Sequence, residues 1–281
     1  VRAVHFWNTQ WLKYHRSCST GINEGNRVII WFFKHLIMQK AVIITGVLGG
    51  IGSGLAKAFK EQGYRVIGLD VRNSQSAYCD LFIQFDLNLY CNDPGYKQQM
   101  DQHFDEHVPQ LSVLINNAAV QILDNLDAIR IQDWNHTLNV NLTGPMLLSQ
   151  HFLQKLASAH GCIINIASIH QQLTKKKFIA YATSKSALVG LTKAMSVDLQ
   201  GLVRVNSISP AAIDTQMLRD GFNNDENMVQ KLNELHPIQR IGKPAEVSKL
   251  ALLLAEDELG FINGANICID GGISNVLKDL D

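Results

Sequence analysis

From residue 41 onward, short apolar runs rich in β-branched residues alternate with longer stretches of helical period, and few folds can accommodate that alternation. The apolar runs fall at 41–45, 65–69, 82–86, 111–116, 161–167, 204–209 and 265–269, and the helical stretches at 51–62, 96–107, 131–159, 179–199 and 244–256. Runs this short and this continuously apolar suit strands buried on both faces, and the intervening helices supply the cover. A parallel sheet needs long crossovers, and right-handed crossovers wind it in both directions from a central strand. The expectation is one α/β domain with a doubly wound, seven-stranded parallel sheet and helices on both faces. No linker, repeat or low-complexity stretch divides it.

Composition narrows the classes of function. Lys plus Arg and Asp plus Glu both number 25, so the formal net charge is zero. No basic surplus marks a nucleic-acid partner. Five cysteines stand at 18, 79, 91, 162 and 268 without a CxxC pair or metal-ligand spacing; they read as reduced thiols of a cytoplasmic protein with no metal site. The longest apolar run, 28–33, is far shorter than the ~20 residues of a spanning helix, so no membrane-spanning segment is expected.

Residues 1–37 stand apart. They hold Trp7, Trp11 and Trp31, three of the chain's four tryptophans, with five basic residues and the single acid Glu24. No period persists there long enough to bury a face. Three readings stay open: a stretch outside the working domain with Met38 as the natural start, an organelle-targeting segment, and a peripheral membrane anchor built on 28–38. The domain itself is placed at 38–281.

The first strand runs into Thr45-Gly46-Val47-Leu48-Gly49-Gly50-Ile51-Gly52, and a helix follows. Such a turn lets the backbone approach a pyrophosphate, and the helix N-terminus offers unpaired N–H groups and partial positive charge. An isolated glycine turn would be ordinary punctuation; the strand before and the helix after supply the context of a Rossmann-type dinucleotide site. The second strand reaches Asp70, eighteen residues past Gly52. A carboxylate there can bond both hydroxyls of an adenosine ribose and would repel a 2′-phosphate, so NAD is expected in preference to NADP despite Arg72 nearby.

The spacing of Thr45, Gly46, Gly50, Ile51 and Gly52 resembles the short-chain dehydrogenase/reductase family. So, in order and separation, do Asn116-Asn117-Ala118-Ala119, Asn139-Val140-Asn141-Leu142, Ser168 and Tyr181-Ala182-Thr183-Ser184-Lys185. The likeness runs from Met38 to about Ser274. It implies that Asp86 and Leu87 meet the adenine, and that Asn117, Ala118 and Ala119 line the adenosine side of the cofactor. It implies further that Pro210, Ile213 and Thr215 belong to a loop over the nicotinamide. Asn141 would hold a water in a relay from Lys185, and Lys185 would reach the nicotinamide ribose. A homotetramer packed through 131–159 and 179–199 is also implied. Ala211 and Ala119 stand where the family commonly has glycine.

Tyr181 and Lys185 are four apart on one helix, which places both on the same face. A free phenol titrates near 10, and a neighbouring ammonium favours its ionised form, giving a group able to exchange protons near neutral pH. Ser168 ends a strand thirteen residues earlier, where ligands of such sheets bind, and its hydroxyl can hold a carbonyl or developing alkoxide. Taken singly, each would read as a packing tyrosine, a surface lysine and a turn serine; together, in register with the glycine turn and Asp70, they read as a catalytic set. The expected reaction is hydride exchange between NAD and a small secondary alcohol or ketone. A cofactor-binding regulator or scaffold that has lost turnover is the alternative. Substrate choice would rest on 169–178, where His170 reads as a cleft-lining polar residue, and on 214–236, which reads as a lid of two helices. Sugars, hydroxy acids, steroids and acyl thioesters stay open.

Overall fold

The computed structural model describes residues 39–74 and 76–277; the expectations for residues 1–37 lie outside the described residues. Seven strands form one sheet in the order β3-β2-β1-β4-β5-β6-β7, every pair parallel. They are β1 (Ala41–Thr45), β2 (Arg65–Asp70), β3 (Leu81–Gln84), β4 (Val113–Asn116), β5 (Cys162–Ile166), β6 (Arg204–Pro210) and β7 (Asn266–Ile269). The helices described are α1 (Gly50–Glu61), α2 (Leu87–Asn92), α3 (Pro94–His107), α4 (Ile131–Leu138), α5 (Gly144–Ser158), α6 (Ile179–Asp198), α7 (Gln216–Gly221), α8 (Glu226–Glu234) and α9 (Pro244–Ala255). The doubly wound sheet is therefore the one the sequence predicts, with strand ends shifted by a residue or two.

Alternate side chains of each strand point to opposite faces, and the sheet carries a separate core on each. Ile43, Ile67 and Leu114 pack with Met100 and Phe104 of α3 and Leu148, Phe152 and Leu156 of α5. Val42, Ile44 and Ile115 pack with Leu55 and Phe59 of α1 and Val247, Ala251 and Leu254 of α9. Burial of each such side chain contributes about 1.5–3 kcal/mol. Short polar signals set the helix starts. Asp93 accepts N–H bonds from Gly95 and Tyr96, and Pro94 opens α3; proline loses nothing at that position.

One expected element is broken. The stretch predicted as a single helix over 131–159 holds α4 and α5 with a π turn between them at Asn139–Thr143. The extra residue in that turn displaces the helical phase. Gly144 follows it, where a Cβ would stand 2.5 Å from the Leu87 side chain, and then Pro145, which has no N–H to give.

The order reverses direction at β1, which has β2 on one side and β4 on the other. Ligands of open α/β sheets sit at that switch point, beyond the carboxyl ends of the strands. Thr45, Asn116 and Ser168 all stand at such ends.

Candidate active site

The glycine turn is fixed by its neighbours across the sheet. The Thr45 hydroxyl accepts the N–H groups of Asn117 and Ala118, both at 2.9 Å. The Asn117 amide donates to the carbonyls of Thr45 (2.8 Å) and Gly46 (3.2 Å). Gly46 has φ +64°, and a Cβ there would lie 2.8 Å from Ala118 Cα. At Gly52 a Cβ would lie 2.1 Å from the Gly46 carbonyl oxygen. Only glycine lets the chain turn this tightly into α1. The helix opens without a side-chain cap, so Gly50, Ile51 and Gly52 keep their first-turn N–H groups for a ligand. This bare N-terminus fits a pyrophosphate.

Asp70, at the end of β2, is buried, and its Oδ2 accepts the Leu48 N–H at 2.9 Å. Arg72 covers it, donating from Nε to Oδ1 at 3.0 Å and from Nη2 to Oδ2 at 3.2 Å. Because 60% of the Arg72 side chain is exposed, this lid over the carboxylate can swing into solvent.

Asp86 caps α2 through Oδ1, which accepts the N–H groups of Asn88 and Leu89. Leu87, beside it, has its side chain buried in the core next to Gly144. Ala119 is half-buried next to the Asn117 clamp. Pro210 ends β6 opposite Ile269. Ile213 is buried against Gly242, which holds the loop by backbone bonds with Ala212 and Asp214. Thr215 caps α7 and presses its side chain onto Gly50, where a Cβ would lie 2.6 Å from its methyl group. The loop at 210–215 thus lies over the glycine turn. The two helices expected within 214–236 are α7 and α8, joined by Arg219, which pairs with Asp214 (2.7 Å) and Glu226 (2.8 Å).

Ser168, Tyr181 and Lys185 come together beyond β5. The Ser168 hydroxyl neighbours the Tyr181 phenol and favours its ionised form, and Lys185 Nζ lies 5.7 Å from the centre of the Tyr181 ring. Lys185 is 2% exposed and donates to the Ile166 carbonyl at 2.8 Å. Burial lowers its pKa to about 7. Burial also pushes the Tyr181 phenol up, and Ser168 opposes this. The expected lowering of the phenol by its neighbour is therefore not a feature of the free chain. The lysine is itself desolvated and turned onto a carbonyl, so it does not offset the cost of ionising the phenol.

Asn141 sits in the π turn, buried, with every side-chain polar atom bonded to protein. Its Oδ1 accepts the Val120 N–H and its Nδ2 donates to the Val120 carbonyl, both at 2.9 Å; Nδ2 also donates to Ser184 Oγ at 3.0 Å. Ser184 in turn donates to the Tyr181 carbonyl at 2.7 Å. Thr45 and Ser184 are the two positioning side chains that reading the motifs alone did not assign a role. A hydroxyl directly before the glycine turn, and one directly before the lysine, were the available signals.

His170 follows Ser168 by two residues, and its N–H donates to Ser168 Oγ at 3.2 Å. Its ring lies 4.5 Å from the Phe178 ring and 5.9 Å from the Tyr181 ring, edge-on to the latter. Its Nδ1 stands 3.2 Å from the Leu173 carbonyl. Among the described residues no group of three or more His, Cys, Asp or Glu could hold a metal ion, and no helix is long and apolar enough to cross a membrane.

Known proteins are similar to this chain in sequence and fold. A family model described as enoyl-(acyl carrier protein) reductase matches residues 46–274. Meso-2,3-butanediol dehydrogenase of Serratia marcescens is 31% identical over 239 residues, covering 83% of this chain and 94% of its own. NAD-dependent glycerol dehydrogenase of Listeria innocua is 29% identical over 245 residues, covering 84% and 94%. The solved structure of Thermoplasma acidophilum aldohexose dehydrogenase, in ligand-free form, superposes with a TM-score of 0.80 at 30% identity, covering 87% of this chain and 98% of that one.

Proposed function

The chain belongs to the short-chain dehydrogenase/reductase family and is an oxidoreductase, and on that footing we propose that it exchanges hydride between NAD and a small secondary alcohol or ketone, with Tyr181 as proton donor and acceptor. The observation that carries this reading is Tyr181 set beside Ser168 and 5.7 Å from the Nζ of a buried Lys185 one helical turn on.

The uncapped start of α1 at Gly50, Ile51 and Gly52 would hold the pyrophosphate, Asp70 the adenosine ribose once Arg72 swings aside, and Thr215 and Lys185 the nicotinamide end. The dinucleotide, when bound, supplies the acceptor or donor of hydride. The protein's part is proton transfer and positioning. In oxidation the ionised Tyr181 Oη takes the proton of the substrate hydroxyl, becoming the neutral phenol, as the carbinol carbon gives up hydride, and a ketone remains. In reduction Tyr181 returns that proton to the oxygen. Ser168 holds the same oxygen in both directions through its hydroxyl. Lys185 sets the charge beside the phenol: below about pH 7 it is an ammonium, and above it a neutral amine.

Two features support NAD over NADP. Asp70 ends β2 with a carboxylate that would repel a 2′-phosphate there, and the related glycerol dehydrogenase is named NAD-dependent. The relatives named for 2,3-butanediol and glycerol support a small hydroxylated substrate.

The test is a screen of secondary alcohols with NAD⁺, followed by NADH absorbance. Tyr181→Phe should lose on the order of 10²–10⁴ in turnover while binding NADH as the unmodified protein does. Unchanged turnover in that variant would remove Tyr181 from the reaction.

A further inference from the structure

We infer that His103 and His107, at the C-terminal end of α3, form a two-imidazole chelate for a divalent transition cation of the copper, nickel and zinc group. The site lies at the edge of the sheet where strands begin: Arg65, the first residue of β2, donates from Nη2 to the His107 carbonyl at 3.2 Å. The candidate active site sits at the opposite edge, so this site is separate from the proposed reaction.

A spacing of four puts both side chains on one face of the helix, and the rings are already gathered there. Their centres are 4.2 Å apart and their planes 30° from parallel. His107 is exposed and His103 half-buried, so an ion reaches the pair from solvent. The His107 Nδ1 stands 3.0 Å from the His103 carbonyl oxygen. A carbonyl oxygen only accepts, so Nδ1 carries the proton and Nε2 keeps its lone pair. Metal-binding imidazoles are oriented in this way, with the second ring nitrogen donating to a carbonyl or carboxylate. The His103 ring joins only the stack: among the described residues no hydrogen bond or ion pair engages it.

Two imidazole nitrogens on one ion stand about 2 Å from it and about 3 Å from each other. Rings with centres 4.2 Å apart reach that by small turns of their side chains, and much of the ordering cost of binding is met before the ion arrives. The donor set selects the ion. Imidazole suits Cu²⁺, Ni²⁺ and Zn²⁺, whereas Mg²⁺ and Ca²⁺ take oxygen ligands. Charge at the end of α3 also favours a cation. The last carbonyls carry the negative end of the helix dipole, and Asp105 and Glu106 are exposed between the two histidines. Arg65 is the opposing charge on His107, and Lys155 takes up Asp105 at 2.8 Å. Among the described residues no third His, Cys, Asp or Glu completes a cage. The remaining positions of the ion therefore go to water, and binding is reversible.

The experiment titrates the full chain with NiCl₂, ZnCl₂ and MgCl₂ by calorimetry, in the unmodified protein, His103→Gln, His107→Gln and the double variant. The unmodified chain should bind Ni²⁺ and Zn²⁺ at this site and not Mg²⁺. Each single variant should weaken that binding on the order of tenfold or more, because the second imidazole acts at high effective concentration only while the first is present. The double variant should lose little beyond either single one. Broadening of amide NMR signals by CuCl₂ should centre on 103–107 and vanish in both single variants, while turnover stays unchanged. Affinities unmoved in the single variants, losses that simply add in the double variant, equal binding of Mg²⁺, or broadening centred elsewhere would overturn the assignment.

Discussion

Lys185 should be a stability burden that the fold carries for its chemistry, and Lys185→Met tests this. The ammonium titrates at about 7 in the folded chain against 10.5 in its ordinary state. That displacement corresponds to at most about 5 kcal/mol. The charge-assisted bond to the Ile166 carbonyl returns about 2 kcal/mol of it, and the carbonyl left without that donor in the variant costs about 1 kcal/mol more. The variant should thus be about 2 kcal/mol more stable near pH 7, a rise of roughly 4–8 °C in Tm, and without turnover. The pH dependence fixes the cause. Between pH 7 and 10.5 the unfolded chain holds the lysine proton and the folded chain does not, so the stability of the unmodified protein climbs with pH across that window. Below about pH 7 both states are protonated and the penalty is complete. The advantage of Lys185→Met should therefore be largest at pH 6–7 and shrink toward pH 10. Urea unfolding of both proteins without cofactor at pH 6.5, 8 and 9.5 measures it. A variant no more stable at pH 6.5, or a gap that holds constant to pH 9.5, would refute the reasoning.

Other perturbations have defined outcomes. Asp70→Ala should cut kcat/KM with NAD on the order of tenfold and raise it with NADP, because the repelling carboxylate is gone and Arg72 is released to meet a 2′-phosphate; a steady-state comparison of the two cofactors checks this. Gly52→Ala places a Cβ 2.1 Å from the Gly46 oxygen and should cost about 3 kcal/mol or more in stability, with NADH binding lost as the turn opens; calorimetry with and without NADH reads both. Asn141→Ala leaves both polar groups of the Val120 backbone without their side-chain partner and should cost about 2–4 kcal/mol by denaturant unfolding, with a lower kcat.

The sheet was legible because its strands are buried on both faces. Val42 to Ile44 or Ile163 to Ile164 must be apolar at every position, and such runs are hard to mistake when helices separate them. The turn at Gly46 and the pair Tyr181 and Lys185 were legible because their chemistry is local in sequence. What escaped was set by contacts between distant segments. The π turn at Asn139–Thr143 leaves no break in apolar periodicity; it is demanded by Asn141 reaching Val120 and Ser184. The direction of the Tyr181 shift depends on how deeply Lys185 is desolvated, which spacing along a helix does not encode.

The hydrogen bonds also explain why motifs so far apart in sequence act together. Thr45 before the glycine turn binds Asn117 and Ala118. Two residues on, Val120 is gripped at both its N–H and its carbonyl by Asn141, and Asn141 holds Ser184, which holds the Tyr181 carbonyl. The stretch from 117 to 120 is thus tied at one end to the turn that would carry the pyrophosphate and at the other to the helix that carries Tyr181. Catalysis demands that reacting groups be held within a fraction of an ångström, and separate loops would not hold them so. Side-chain amides and hydroxyls suit the task, because each bonds donors and acceptors of two segments at once. The small or polar character of Thr45, Asn117, Asn141 and Ser184 follows from that duty: apolar replacements would fill the same space and leave the cofactor turn and the catalytic helix free to move apart.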